Sequence, residues 1–300
     1  MLEILPQVIW YSLVASAIYT LVAIGLTMTF GVLGFINFAH GEMAMLGAYL
    51  LLAFWVMLKW PFWPAFTLVV ILMVIFGVLL EKFTFKPVRK SHPFKPLIIS
   101  IGVSAFLQSV VVLIFGAGVT SYFQDGQQAA QTFSFLNGDF VVTDHQILLM
   151  AISVILLIAL ALFLKYSKTG KAMRAVADNP QVAAILGINV DRTVSIIFAL
   201  GTALAAIGGM LIAGEQNLTP TMGLSLSIYG FSAVVLGGVG NVWGALVGAL
   251  IIGFLENFLT AFTALPPNYN SAIVFLLLII MLMVRPNGIL GARAEAEVRK

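Results

Sequence analysis

From residue 8 to residue 30 the chain carries no charged side chain, and runs of the same kind recur almost to its end. They cover residues 8–30, 43–58, 65–80, 97–115, 147–164, 193–213, a short 228–236, 245–260 and 271–284, and Glu256 is the one charge inside them. A helix needs about 20 apolar residues to cross the hydrocarbon core of a bilayer, and fewer when it re-enters from one side. A water-soluble fold would have to hide these runs. With 61% of residues hydrophobic, 9% charged and a mean hydropathy of +1.08, against about 25% charged in ordinary soluble domains, there is not enough polar surface to do so. The reading is an all-α, polytopic transmembrane helix bundle with about eight to nine passes and broken helices. The run at 8–30 is too long for a signal-peptide core and lacks a basic leader, so it is expected to stay as a helix.

Charge sidedness sets the expected orientation. Lys82, Lys86, Arg89, Lys90 and Lys95 fall in one connection, Lys165, Lys168, Lys171, Arg174 and Arg192 in another, and Arg285, Arg293, Arg299 and Lys300 in the tail. Fourteen of the fifteen Lys and Arg therefore share one face, with Lys59 opposite. Cytoplasmic loops carry this excess, which puts the N-terminus outside and the C-terminus inside. The connections with Asp125, Asp139, Asp144 and Glu215 alternate with the basic ones and belong outside, Glu215 just beyond the membrane. The net charge of +3 is thus a topology signal and implies no nucleic-acid partner; the partner of most of the surface is lipid bilayer. The absence of cysteine excludes disulfides, thiolate metal sites and cysteine nucleophiles.

Two places interrupt the apolar pattern. Residues 31–42 hold two early glycines and then Asn37, His40, Gly41 and Glu42, with no room for an ordinary loop. Lipid offers backbone groups no partners, so either the helix breaks inside the bundle or the segment is a tight cytoplasmic turn. Ionisable groups at membrane depth usually face a cavity, which makes Asn37, His40 and Glu42 pathway candidates; equally, they cap or pair between helices and never meet solute. The second interruption, residues 236–244, contains Gly238, Gly240 and Asn241. Its glycine spacing resembles a dinucleotide loop, but no strand precedes it; a broken helix fits better. Two breaks in corresponding positions of two halves point to a central transport site made from half-helices. Small residues at 201–209 and 244–253 are read chiefly as helix-packing faces. Glu256 is either protonated or partnered, near the outer boundary of the membrane.

The single domain spanning 1–300 has two connections long enough to matter. In the inner one, 165–192, Asp178 or Asn179 can cap a short helix with Pro180 in its first turn, and Gly187 can stop it. That helix carries Val182, Ile185 and Leu186, for burial against either a protein partner or lipid headgroups. The outer one, 120–146, is long and polar, with residues 124–128 and 137–139 as its most polar stretches, and could cap against a soluble partner. No P-loop, zinc-protease or nucleophile-elbow motif is present, nor a potassium-type carbonyl filter. The chain is not expected to be an enzyme, and any pump function must draw energy from an ion gradient or another subunit.

Several blocks together carry a family resemblance: Gly25 to Gly31 followed by Asn37 to Glu42 and Met45 to Tyr49; Thr169 to Ala175 with Asp178, Asn179, Pro180 and Leu186 to Asn189; Ala233 to Gly240 with Gly244, Ala245 and Gly248; and Val284 to Leu290. In this order they resemble the LivH-type permease subunit of branched-chain amino-acid ABC importers, over nearly the whole chain. The resemblance implies a bacterial inner-membrane, multi-pass permease working by alternating access. It implies a LivM-like second permease, two LivG/LivF-like ABC ATPase subunits, and an extracytoplasmic solute-binding protein. No cofactor is bound by this chain, and ATP-Mg sits on the ATPases. Asn37, His40 and Glu42 would line or brace the path, and Pro180 to Gly187 would dock on an ATPase. Related permeases carry urea, short amides or aromatic acids; an ion-coupled secondary transporter or a passive channel is the competing class.

Overall fold

The computed structural model describes residues 4–89, 91, 94–123, 132–135, 140–263, 266 and 269–291. Asp125, Asp139, the 124–128 and 137–139 stretches, Lys90, Arg293, Arg299 and Lys300 lie outside the described residues. Each apolar run is a helix. In chain order they are α1 (Leu5–Leu33), α2 (His40–Leu51), α3 (Phe62–Leu80), α4 (Phe94–Phe115), α5 (Asp144–Tyr166), α6 (Lys168–Asp178), α7 (Pro180–Ile185), α8 (Val190–Ile212), α9 (Met222–Gly237), α10 (Val242–Phe262) and α11 (Asn270–Val284). α2 and α3 continue as π-helical turns, Leu52–Met57 and Glu81–Phe85. Among the described residues seven helices are long and apolar enough to cross a membrane, and α9 and α11 are shorter apolar helices. These account for the nine runs read from the sequence.

Burial sorts the helices into centre and rim. In their most apolar windows α1 and α8 are 78% buried, whereas α4 and α5 are 17% buried, so α1 and α8 form the core around which the others stand. Their close approach depends on small residues, as expected where lipid supplies no hydrophobic drive between helices. A Cβ on Gly47 of α2 would lie 2.7 Å from the Ala206 Cβ of α8, and one on Gly209 would overlap the Ala44 backbone. The outer helices keep apolar side chains such as Ile98, Leu113 and Ile155 exposed, a surface suited to hydrocarbon.

The basic residues gather at one end. Arg89 pairs with Asp191 and, at 3.5 Å, with the buried Glu81; Lys86 reaches Asp191 at 3.0 Å. At the opposite end the Gln7 amide donates to Val141 O, the Trp10 indole to Gln146, and Gln146 to Glu215 at 2.9 Å, while Tyr122 donates to the Ala48 carbonyl at 2.8 Å. Burial pushes the Tyr122 hydroxyl well above its usual range, which keeps it a donor.

Three expectations need correcting. The all-helical reading misses a hairpin in the polar 120–146 connection: β1 (Thr132–Phe135) pairs antiparallel with β2 (Phe140–Thr143), Thr132 opposite Thr143. That connection also ends early, because Thr143 caps α5 through a reciprocal pair with Gln146. The break at 236–244 is the turn joining α9 to α10, set at the basic end rather than at membrane depth. Gly238 and Gly240 take φ of 118° and 83° there, Asn241 caps α10, and the carbonyls of Leu236 and Gly237 accept from Ile289 and Leu290.

Candidate functional site

The break at residues 34–39 is real and lies deep. α1 ends at Gly34 with φ 68°, a conformation glycine adopts without strain. The chain then runs back into the bundle until the His40 ring packs against Gly25. Gly25 precedes the last residue of α1 by eight positions, about 12 Å of helix. Of the two readings open from sequence, the helix broken inside the bundle is the one adopted. The freed backbone groups find partners, as they must at this depth. Phe38 N–H donates to the Ser100 hydroxyl at 3.3 Å and Ala39 N–H to Asn37 Oδ1 at 3.2 Å. The Ser227 hydroxyl serves twice, accepting from Gly41 N–H at 2.9 Å and donating to the Phe38 carbonyl at 3.1 Å.

A second re-entrant segment, absent from the sequence reading, meets the first. After α8 the chain at 214–221 dips back from the end opposite the basic residues, anchored by reciprocal Thr120–Leu218 backbone bonds and by Gln108 donating to the Pro220 carbonyl at 3.2 Å. α9 then begins at mid-bundle, with Gly223 so close to Gly41 and Glu42 that a Cβ on either glycine would overlap the other segment. α2 runs from this point toward one end of the bundle and α9 toward the other. Two helix N-termini, each equivalent to about half a positive charge, therefore converge beside the Glu42 carboxylate. Glu42 accepts from the Ser104 hydroxyl at 2.9 Å through Oε1, and its Oε2 has no hydrogen-bond partner among the described residues. Asn37, His40 and Glu42 are 3%, 1% and 1% exposed, so the centre is closed in this conformation.

Asn37, His40, Gly41 and Glu42 are thus brought together, while Gly238, Gly240 and Asn241 are not. Gly237 lies 14 residues beyond Gly223 along α9, about 21 Å of helix. Sequence reasoning missed Ser104, Gly223 and Ser227. The signal was the shortness of the 228–236 run behind the polar Thr219, Pro220 and Thr221, the pattern of a helix that starts partway through. Glu256 is partnered: Tyr19 donates to it at 2.5 Å.

At the basic end α6 and α7 form a separate feature. Ser167 caps α6, which buries Gly170, Met173 and Val176. Asn179 caps α7, its Oδ1 accepting from Gln181 and Val182 N–H at 3.0 Å each; Asp178 is the last residue of α6 and is not that cap. Pro180 opens the helix and Gly187, at φ 84°, follows its end. α7 buries Ala183 but leaves Val182, Ile185 and Leu186 at 50%, 85% and 73% exposed.

The sequence profile of a family described as "Branched-chain amino acid transport system / permease component" matches residues 8–282. The LivH permease of Escherichia coli, named for a high-affinity branched-chain amino acid transport system, is 35% identical over 298 residues, covering 93% of this chain and 92% of that protein. BraD of Pseudomonas aeruginosa, named for the same kind of system, is 34% identical over 304 residues, covering 95% of each. PsaBC from Streptococcus pneumoniae, solved in complex with Fab, shares the fold at a TM-score of 0.52 and 11% identity, over 92% of this chain and 91% of that one.

Proposed function

The chain belongs to the permease family of branched-chain amino acid transport systems, and on that premise we propose that it is the membrane-spanning subunit of an ABC importer that moves branched-chain or other hydrophobic amino acids inward. The observation that carries this reading is the family match across residues 8–282. In it, the basic end faces the cytoplasm of a bacterium, the chain crosses the inner membrane in nine passes, and the N-terminus lies outside. A LivM-like permease stands beside it, two LivG/LivF-like ATPases hold ATP-Mg below, and a solute-binding protein docks above.

α7 is the coupling element. Two exposed apolar side chains on a capped six-residue helix, with the exposed Leu186 just past its end, have a partner to find, and an ATPase surface at the cytoplasmic face meets that need. ATP-driven closure of the ATPases moves α6 and α7, and through α8 the half-helices α2 and α9 that shut the centre. The change is driven only as far as the ATP state binds one bundle conformation better than the other. Asn37, His40 and Glu42 brace this closed centre.

The test is reconstitution of the four-part importer with its binding protein in proteoliposomes. ATP-dependent leucine uptake is expected, and Leu186→Asp should abolish it while the permease still inserts. Uptake driven by an ion gradient without ATPases, or flux without nucleotide, would overturn the reading.

A further inference from the structure

A cleft of about 240 Å³ opens between the first half of α1, the end of α8, the last turns of α10 and the start of α11. It lies toward the end opposite the basic residues, and Asn37, His40 and Glu42 do not line it. Two carboxylates do, Glu215 and Glu256, with no Lys, Arg or His among the described lining residues. Both are held in place. Tyr19, whose ring stacks on Tyr229 at 4.9 Å, donates to Glu256 at 2.5 Å, and Gln146 donates to Glu215 at 2.9 Å. A carboxylate has about four acceptor positions, so each keeps capacity for another donor.

A third acceptor on the wall is independent of the carboxylates. Asn270 is 4% exposed, and its Nδ2 donates to the Thr260 hydroxyl at 2.8 Å. That bond fixes the amide, and its Oδ1 is left buried without a hydrogen-bond partner among the described residues. Buried acceptors in proteins are nearly always paired, so one unpaired on a cleft wall is set for a donor that arrives from outside. Two carboxyl groups with no basic side chain among the described lining residues favour a cationic donor. Val14, Ala15, Ile18 and Ile212 give the α1 and α8 side an aliphatic wall, and Tyr11, Gln216, Asn257 and Thr260 complete the lining.

We propose that this cleft binds a solute's protonated amino group, Glu256, Glu215 and Asn270 Oδ1 accepting its N–H bonds while a branched aliphatic body rests on the α1 and α8 wall. This rests on the amino-acid importer reading and deepens it, by placing recognition of the ammonium group in the permease itself.

The test is binding of 3-methylbutylamine and of 4-methylpentanoate, the decarboxylated and deaminated counterparts of leucine, to the assembled importer in nanodiscs without binding protein, read by saturation-transfer NMR. The amine should bind and the acid should not. Glu256→Gln should weaken the amine by at least about tenfold, the loss of a charged hydrogen-bond partner. Asn270→Asp, which adds negative charge at the unpaired oxygen, should tighten it, a gain that misfolding cannot produce. Equal binding of amine and acid, or an amine affinity unchanged in Glu256→Gln, would overturn the proposal. If wild-type importer takes up leucine with ATP yet the amine does not bind, the cleft proposal fails alone. If the amine binds as predicted but no branched-chain amino acid is taken up, the importer reading fails and the ammonium site stands.

Discussion

Replacing Ser227 with alanine removes one hydroxyl and unpairs two backbone groups at the centre of the bundle. Gly41 N–H loses its acceptor at 2.9 Å and the Phe38 carbonyl loses its donor at 3.1 Å. Ser227 is 3% exposed and Gly41 is buried, so water has little access to either freed group. An unpaired buried donor or acceptor costs about 1–3 kcal/mol, which for two groups puts Ser227→Ala at about 2–6 kcal/mol. An ordinary interhelical hydrogen bond in a membrane protein is worth only about 0.6 kcal/mol, because groups freed in a bilayer usually find other partners. The two figures separate a backbone brace at a helix break from a routine side-chain contact. The assay is equilibrium unfolding in mixed detergent micelles, with Ser109→Ala as control, since among the described residues Ser109 bonds within its own helix, to Ala105. A Ser227→Ala loss no larger than about 0.6 kcal/mol would refute the assignment of Ser227 as the brace of the broken helix.

Arg89→Ala should destabilise the fold by about 3 kcal/mol in the same assay, because it strands the buried Glu81 carboxylate. Lys86→Ala, which breaks a pair whose side chains are 44% and 50% exposed, should cost at most about 1 kcal/mol. Gly209→Val should prevent α2 from seating on α8, since even a Cβ overlaps the Ala44 backbone; loss of monodisperse protein on size exclusion checks this. His40→Ala should lower uptake without loss of complex assembly, and normal transport kinetics would count against a role for the closed centre.

Much of this protein is legible in one dimension. Each apolar run became a helix because a bilayer leaves backbone groups no alternative to pairing within their own segment. The caps of α7 were readable because Asn, Pro and Gly act within a few residues of themselves, although the choice between Asp178 and Asn179 needed the observed geometry. The break before His40 was also visible, since polar residues and glycine stood where a loop had no room.

Pairing between distant segments was not legible. Whether 34–39 turned at the surface or ran back into the bundle depended on Ser100 of α4 and Ser227 of α9, 62 and 189 residues away from Phe38. The glycine-rich 236–244 segment looked like the second half of the site, but glycines that open a surface turn and glycines that break a helix at depth are alike in sequence. The true counterpart of the first break, 214–221, was disguised as a connection, because its partners lie on α4 and in the chain beyond it. Local chemistry is written in neighbouring residues, so the sequence by itself determined where helices form, how α7 is capped and where the basic charge collects. Which helix ends meet at the centre, and which acceptors are left to line a cleft, was decided only when the tertiary structure brought distant side chains within hydrogen-bonding distance.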